Sequence, residues 1–300
     1  MKVFLTGATG FIGGSIAAHL RAAGHEITGL VRSQAKADAL GMPAVIGTLE
    51  DREVLREAAL QADAVVNAAN ASHRGVVEIF LEALSGSGKT YIQTSGSSIV
   101  GDMAGGEAGD AVYDEDSTIT PLPGRADRVV IDDMVRAAAN DGIRTAIVCP
   151  TLIYGEGLGL NPHSMQVPWL FALAAKHGGV PRHIGSGGNI WSNVHITDLV
   201  ELYRLVLEQA PAGSFYFAEN GEASMRELCE AISRTLGQGG RTESMSMDEG
   251  IAEWGDGAAN YTMGSNSRVR AKRAREELGW SPNGPSVIEE IERGCYAQTR

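Results

Sequence analysis

The first thirteen residues, MKVFLTGATGFIG, constrain this chain more than any other stretch. Val3 to Leu5 is a short apolar run that reads as a buried strand. It passes through Thr6-Gly7-Ala8-Thr9-Gly10-Phe11-Ile12-Gly13 into the helical pattern SIAAHLRAAG. Each glycine has a physical task in such a turn. Gly7 takes the backbone angles of a tight turn. Gly10 lets a pyrophosphate approach the main chain, and Gly13 allows helix and strand to pack closely. The helix then offers its unpaired N–H groups and the positive end of its dipole to the phosphates. With a strand before and a helix after, nucleotide binding is the reading, rather than an ordinary glycine-rich turn.

The same rhythm continues. Strands are expected at Ile27–Val31, Ala44–Ile46, Ala64–Ala68, Thr90–Thr94 and Arg144–Cys149, with helices at Ser33–Leu40, Arg52–Ala59 (capped by Asp51), Val76–Leu84 and Arg125–Ala139. Alternation at this spacing implies right-handed crossovers and an α/β fold, a doubly wound parallel sheet. A polar, glycine-rich segment from Ser95 to about Arg125 is long enough to be a functional loop. After Pro150 the rhythm changes. Loops are expected at Glu156–Pro162 and Gly178–Asn189, and helices at Met165–His177, at Leu199–Gln209 (capped by Thr197 or Asp198) and at Met225–Leu236. Ser214–Ala218 reads as a strand, and Ser224 with Glu227 forms a capping box. The organisation reads as a dinucleotide-binding domain over 1–155 and a mainly substrate-binding lobe over 156–300, with segments near 191–220 returning to the core domain.

A net charge of −12 argues against a nucleic-acid surface. Cys149, Cys229 and Cys295 are widely spaced and odd in number, so neither a disulfide framework nor a zinc site is implied, and no metal is expected. No apolar run has the length of a membrane span. The glycine turn comes too early for a signal peptide, which makes the cytoplasm the default compartment.

TGATGFIG resembles the short-chain dehydrogenase/reductase superfamily in its extended NAD-dependent epimerase/dehydratase branch. Later landmarks extend the likeness over nearly the whole chain: Val148-Cys149-Pro150-Thr151-Leu152-Ile153-Tyr154-Gly155, Asn193-Val194-His195-Ile196-Thr197-Asp198-Leu199 and Glu277-Leu278-Gly279-Trp280-Ser281-Pro282. The resemblance implies a smaller C-terminal lobe over the nicotinamide end. It also implies cofactor contacts at Gly7, Thr9, Gly10, Phe11, Ile12, Gly13, Leu49, Asn67, Ala68, Ala69, Thr94, Ser95, Arg128, Pro150 and Ile153. Where the family commonly has Asp-Leu near adenine, this chain has Thr48-Leu49.

Cofactor choice turns on the end of the second strand. NAD enzymes usually hold the ribose 2′-hydroxyl there with an acid, but this chain reads Gly29-Leu30-Val31-Arg32-Ser33. Arg32 offers a planar fork of donors suited to a 2′-phosphate and Ser33 adds a hydroxyl. The plain alternative is a solvated arginine at a strand end. NADP is the expected cofactor, with NAD possible.

The superfamily's acid is a Tyr aided by a Lys four residues later, on one helical face. None of the seven tyrosines is followed by Lys at that spacing. Aligning Asp132 and Val135 with the branch's Glu-x-x-Val puts Gly124 at the Tyr position and Arg128 at the Lys position. The ungapped reading of Thr94-Ser95-Gly96-Ser97-Ser98-Ile99-Val100-Gly101 puts Gly96 where the catalytic hydroxyl belongs. Candidates to replace the acid are Tyr154 and Tyr113, with Ser97 as an orienting hydroxyl. Tyr154 reads equally as a core aromatic with a satisfied hydroxyl. His163 and His195 are substrate-side candidates, and His183 lies in a lobe loop. Five cations in Arg268–Arg275 read as a solvated helix end.

The expected activity is NADP-dependent reduction of a small carbonyl-type substrate, with monomer and homodimer both open. Two alternatives remain: sugar-nucleotide epimerase or dehydratase chemistry, which first needs a base, and a non-catalytic NADP-binding redox sensor.

Overall fold

The computed structural model describes residues 1–298. The central sheet contains β1 (Lys2–Thr6), β2 (Glu26–Val31), β3 (Ala44–Ile46), β4 (Ala64–Asn67), β5 (Thr90–Thr94), β6 (Arg144–Pro150) and β10 (Ser214–Ala218). All pairs are parallel, in the order β10-β6-β5-β4-β1-β2-β3. Ala64-Val65-Val66 and Ala146-Ile147-Val148 are buried on both faces. A sheet covered by helices on both sides requires that. The connecting helices are α1 (Phe11–Ala22), α2 (Gln34–Leu40), α3 (Arg52–Gln61), α4 (Arg74–Leu84) and α5 (Pro123–Ala137). Strand order reverses between β1 and β4, and the crevice at such a switch point is where open sheets take ligands.

The second half adds β7 (Leu152–Tyr154), α6 (Gln166–Lys176), β8 (Arg182–Ile184), β9 (Ile190–His195) and α7 (Ile196–Gln209). After β10 come β11 (Glu222–Ser224), α8 (Met225–Thr235), β12 (Glu243–Met245), α9 (Met247–Trp254), the single turn α10 (Asp256–Ala258), α11 (Lys272–Leu278) and α12 (Val287–Arg293). Strands β11-β9-β7 form one small sheet and β12-β8 another. Two apolar clusters result. The larger packs Phe4, Ile16, Phe80 and Val148 with Tyr203 and Trp280. The smaller gathers Leu170, Trp191, Ile232, Met263 and Ile291.

Trp280 explains why Asn193–Leu199 and Glu277–Pro282 occur together. Its indole N–H donates to the Asp198 carbonyl at 2.9 Å, while the Asp198 carboxylate accepts from the amides of Asn283 (3.0 Å) and Gly284 (3.0 Å). The C-terminal segment is thereby pinned to α7.

Several local expectations need correction. Helix α7 starts at Ile196 with His195 as its N-cap, not Thr197 or Asp198, because the imidazole Nδ1 accepts from the Thr197 amide. Asp51 occupies the N-cap position of α3, yet its carboxylate turns back to the amide (2.6 Å) and hydroxyl (3.0 Å) of Thr48. Strand β8 lies inside the expected loop 178–189, since three residues between glycines and a proline give no readable period. The capping box of Ser224 and Glu227 forms as read.

Candidate active site

The turn after β1 is built around its glycines. Gly7 has φ +76°, and a Cβ there would lie 2.7 Å from the Ala68 carbonyl oxygen. A Cβ on Gly13 would lie 2.3 Å from the Gly7 carbonyl oxygen, so α1 packs on the turn itself. A Cβ on Gly10 would meet nothing within 4 Å except that same oxygen at 3.3 Å, which leaves the face above it open to a ligand. Gly10 caps α1 without a side chain, so the first-turn N–H groups are available to an anion.

Beneath the turn, the Thr6 hydroxyl donates to Asn67 Oδ1 (2.6 Å). Asn67 Nδ2 donates to Gln93 Oε1 (3.0 Å), which also accepts from the Tyr91 hydroxyl (2.6 Å). This buried network fixes the carboxyl ends of β1, β4 and β5 against one another. It also turns the Asn67 side chain away from the ligand face.

Gly7, Thr9, Gly10, Arg32, Leu49, Ala68 and Ala69 come together around a cavity of about 540 Å³. Lys36 and Glu50, which sequence reasoning missed, line it too. Arg32 lies before the N-cap Ser33 and Lys36 in the first turn of α2, and both line the cavity. Ser33 is the N-cap of α2, its hydroxyl accepting weakly from the Lys36 amide at 3.4 Å. Phe11 and Ile12 pack on the core instead of lining this cavity, and Pro150 and Ile153 sit in the strands β6 and β7. An open glycine face, free helix N–H groups and two cations are a donor set that fits a dinucleotide.

The hydroxyls after β5 are engaged inward. Thr94 Oγ1 pairs with the Tyr203 hydroxyl (2.7 Å), Ser95 donates to Asp132 Oδ2 (2.6 Å), and Ser97 Oγ pairs with Ser267 Oγ (2.8 Å). Burial pushes the Asp132 carboxyl up to about 7, against the Ser95 hydrogen bond and the Arg128 charge. Arg128 reaches Ser98 Oγ (3.2 Å) and Ser72 Oγ (3.1 Å), crossing the carboxyl ends of β5 and β4.

Tyr154 is corrected as a candidate acid. Its ring is fully buried, its hydroxyl donates to the Pro285 carbonyl at 2.7 Å, and burial pushes its ionisation upward. Tyr113 is half-buried and bridges to Val269 through its backbone. His163 and His195 share a second cavity, about 580 Å³, with Glu156, Glu290 and Tyr296. His195 Nδ1 pairs with Thr197 Oγ1 at 2.6 Å and its Nε2 lies 3.4 Å from Glu290, while burial lowers its ionisation. His183 is buried, 3.3 Å from Thr242 Oγ1.

The cationic cluster is paired as well as partly solvated. Arg268 and Arg270 pair with Glu222, Lys272 and Arg273 with Asp116, and Arg275 with Glu219. It is an ion-pair seam between segments far apart in sequence, and Lys272, Arg273 and Arg275, on α11, keep part of their side chains in solvent. Among the described residues no cluster of metal-ligating side chains occurs and no helix is long and apolar enough to cross a membrane.

The sequence profile of the NAD dependent epimerase/dehydratase family matches residues 3–217. The chain belongs to this family. Among relatives, it is 32% identical to the oxidase ucsJ of Acremonium sp, over 97% of this chain and 95% of that one. It is 26% identical to a 4-hydroxy-2-methyl-3-oxo-4-farnesyl-3,4-dihydroquinoline-1-oxide ketoreductase of Stigmatella aurantiaca, over 79% of this chain and 74% of that one. Among solved structures, dTDP-glucose 4,6-dehydratase of Bacillus anthracis in complex with NAD superposes with a TM-score of 0.77. That likeness has 18% identity and covers 98% of this chain and 95% of that one. It shows a shared fold. The family's seven-strand sheet and helical layers are those described above.

Proposed function

We propose that this member of the epimerase/dehydratase family is a cytoplasmic, NADP-dependent reductase of a small carbonyl-type substrate, with the smaller apolar core forming the substrate lobe. The observation that carries the reading is the pair Arg32 and Lys36 among the residues that line the glycine-turn cavity. Two cations there suit a 2′-phosphate. The one lining acid, Glu50, faces His73 at 3.4 Å and is held below the usual carboxylate range chiefly by Thr48 and His73. The ketoreductase name of one relative supports the reaction class.

When bound, the reduced nicotinamide supplies a hydride. The chain's own contribution is to hold the pyrophosphate on Gly10 and the first turn of α1, and to grip the 2′-phosphate with Arg32 and Lys36. Calorimetric titration of NADPH and NADH tests this. Charge-assisted hydrogen bonds of ~1.5–3 kcal/mol convert to a preference of roughly 10–150-fold for NADPH, lost in Arg32→Ala. Equal affinities, or no loss in the variant, would refute it. The inward-bonded hydroxyls of Ser95 and Ser97 favour a second reading, a non-catalytic sensor. Its signature is saturable NADPH binding without turnover across aldehydes, ketones and imines.

A further inference from the structure

We propose that Tyr261, carried by the C-terminal part of the chain, supplies the proton-donating phenol of the active site from the space that Gly124 leaves free on α5. The proposal rests on the reductase reading above. Two glycines stand where the family resemblance puts catalytic side chains, and neither faces a void. A Cβ built on Gly124 falls 2.5 Å from Tyr261 Oη and 2.7 Å from Cζ of the same ring. A Cβ built on Gly96 falls 3.2 Å from Arg128 Nη1. Gly124 therefore makes room for a phenol that arrives from elsewhere, and Gly96 for a guanidinium. A larger residue at 124 would force the ring to shift.

Tyr261 is held in a defined pose. Arg125 stacks over its ring, 4.3 Å from the centroid, and is itself fixed by donating from Nε to Ser98 Oγ at 3.0 Å. Ser98 also takes Arg128 Nη1, so one hydroxyl ties the guanidinium over the phenol to the guanidinium over Gly96. The tyrosine sits in the wide turn Ala259–Met263, closed by the Gly264 amide on the Ala259 carbonyl at 2.8 Å. Turns of this π type are favoured at functional sites.

Five of the six other phenols are committed, and Tyr113, in the loop after β5, is held through its main chain to Arg268 and Arg270. Tyr91, Tyr154, Tyr203 and Tyr216 bond Gln93, Pro285, Thr94 and Glu277, and Tyr296 bonds Ser164 and Gly155. Tyr261 is half-buried, and among the described residues no hydrogen bond to its hydroxyl is seen. It lies against the first turn of α5, whose next turn sends Arg128 to Ser72 and Ser98 at the carboxyl ends of β4 and β5. That is the ligand edge of the sheet.

In the step assigned to it, Tyr261 Oη would protonate the carbonyl oxygen as the carbonyl carbon takes the hydride that bound NADPH would supply, forming a new C–H bond while the π pair moves to oxygen. The products are an alcohol, oxidised cofactor and a phenolate beside Arg125, which solvent re-protonates.

Two measurements test this. The first is a thermal-unfolding cycle on Gly124→Ala, Tyr261→Ala and the double variant. Gly124→Ala should lower the midpoint by several degrees when the tyrosine is present and should not do so in the Tyr261→Ala background. Equal shifts in both backgrounds overturn the placement. The second compares Tyr261→Phe with the unmodified protein, using NADPH with benzaldehyde, acetophenone and ethyl acetoacetate, alongside NADPH affinity by fluorescence. The expected result is a fall in kcat of about 10²–10⁴-fold with the NADPH Kd unchanged. Full rate in Tyr261→Phe beside an active parent removes the acid role alone. A joint loss of affinity and rate assigns Tyr261 to cofactor binding instead. Absence of turnover in the parent removes the reductase reading and this proposal with it.

Discussion

Replacing Asp132 by Asn should make the protein more stable in mild alkali and less stable in acid. The unfolded carboxyl ionises near its ordinary value of 3.8, whereas the buried one holds its proton to about 7. Folding therefore takes up a proton between these limits. Stability falls as pH rises through that window and reaches its floor above 7. That displacement corresponds to ~4 kcal/mol at pH 8 and nothing below pH 4. The Asp132→Asn change removes the penalty but places an amide where Asp132 Oδ1 has no partner among the described residues, costing about 1–3 kcal/mol at every pH. The net expectation is a gain of roughly 1–3 kcal/mol at pH 8 and a loss of similar size at pH 4. Ser95 keeps an acceptor in the amide oxygen. Arg128 and Arg136 pull the carboxyl down and Asp133 pushes it up, but burial dominates all three. Urea unfolding of both proteins at pH 4, 6 and 8 reads the difference. A constant offset across that range would refute the reasoning.

Gly13→Ala should destabilise by about 1–3 kcal/mol despite alanine's better helix propensity. Its Cβ would lie 2.3 Å from the Gly7 carbonyl oxygen, a main-chain atom that moves only with the turn, so dinucleotide binding should be lost too. Chemical unfolding and NADPH titration check both parts, and a stable variant with normal binding would contradict them. Tyr154→Phe should cost ~1 kcal/mol through the lost bond to the Pro285 carbonyl and leave kcat within about twofold, an orienting loss being smaller than that of an acid. A hundredfold fall would return that phenol to the mechanism.

The dinucleotide half of the site was legible because its determinants are local. The glycine turn, the strand end at Arg32 and the Ala68-Ala69 turn are each read within a few residues, and the parallel sheet brings their ends together without further information. Lys36 was not legible, because Arg32 lies outside α2 and no helical period links the two. Nor was side-chain direction. Thr94, Ser95 and Ser97 lie at the carboxyl end of β5 as residues, but their hydroxyls point to Tyr203, Asp132 and Ser267, which are 109, 37 and 170 residues away. Tyr154 fails for the same reason, since its partner Pro285 lies 131 residues on. The pairing of the cation cluster was hidden because its acids, Asp116, Glu219 and Glu222, belong to distant segments.

Those long-range partners also explain how a phenol on a distant segment could be held well enough to act. Beginning just past Tyr261, the chain is stitched to the loop after β5. Asn266 donates to Asp102 Oδ2 at 2.8 Å and to the Glu107 carbonyl at 3.0 Å, and Ser267 donates to the Ser97 carbonyl at 2.8 Å. The Tyr113 amide then donates to Arg268 and its carbonyl accepts from Arg270, after which Asp116 closes on Lys272 and Arg273. Exposed ion pairs contribute little singly, but here they continue a line of buried hydrogen bonds that fixes register residue by residue. The same seam that turns Ser97 away from the ligand edge anchors the segment bearing Tyr261 against Gly124. The Ser97 hydroxyl is given up to the strap that bears Tyr261, whereas Ser95 turns inward to Asp132 on α5, the helix whose Gly124 leaves room for that ring.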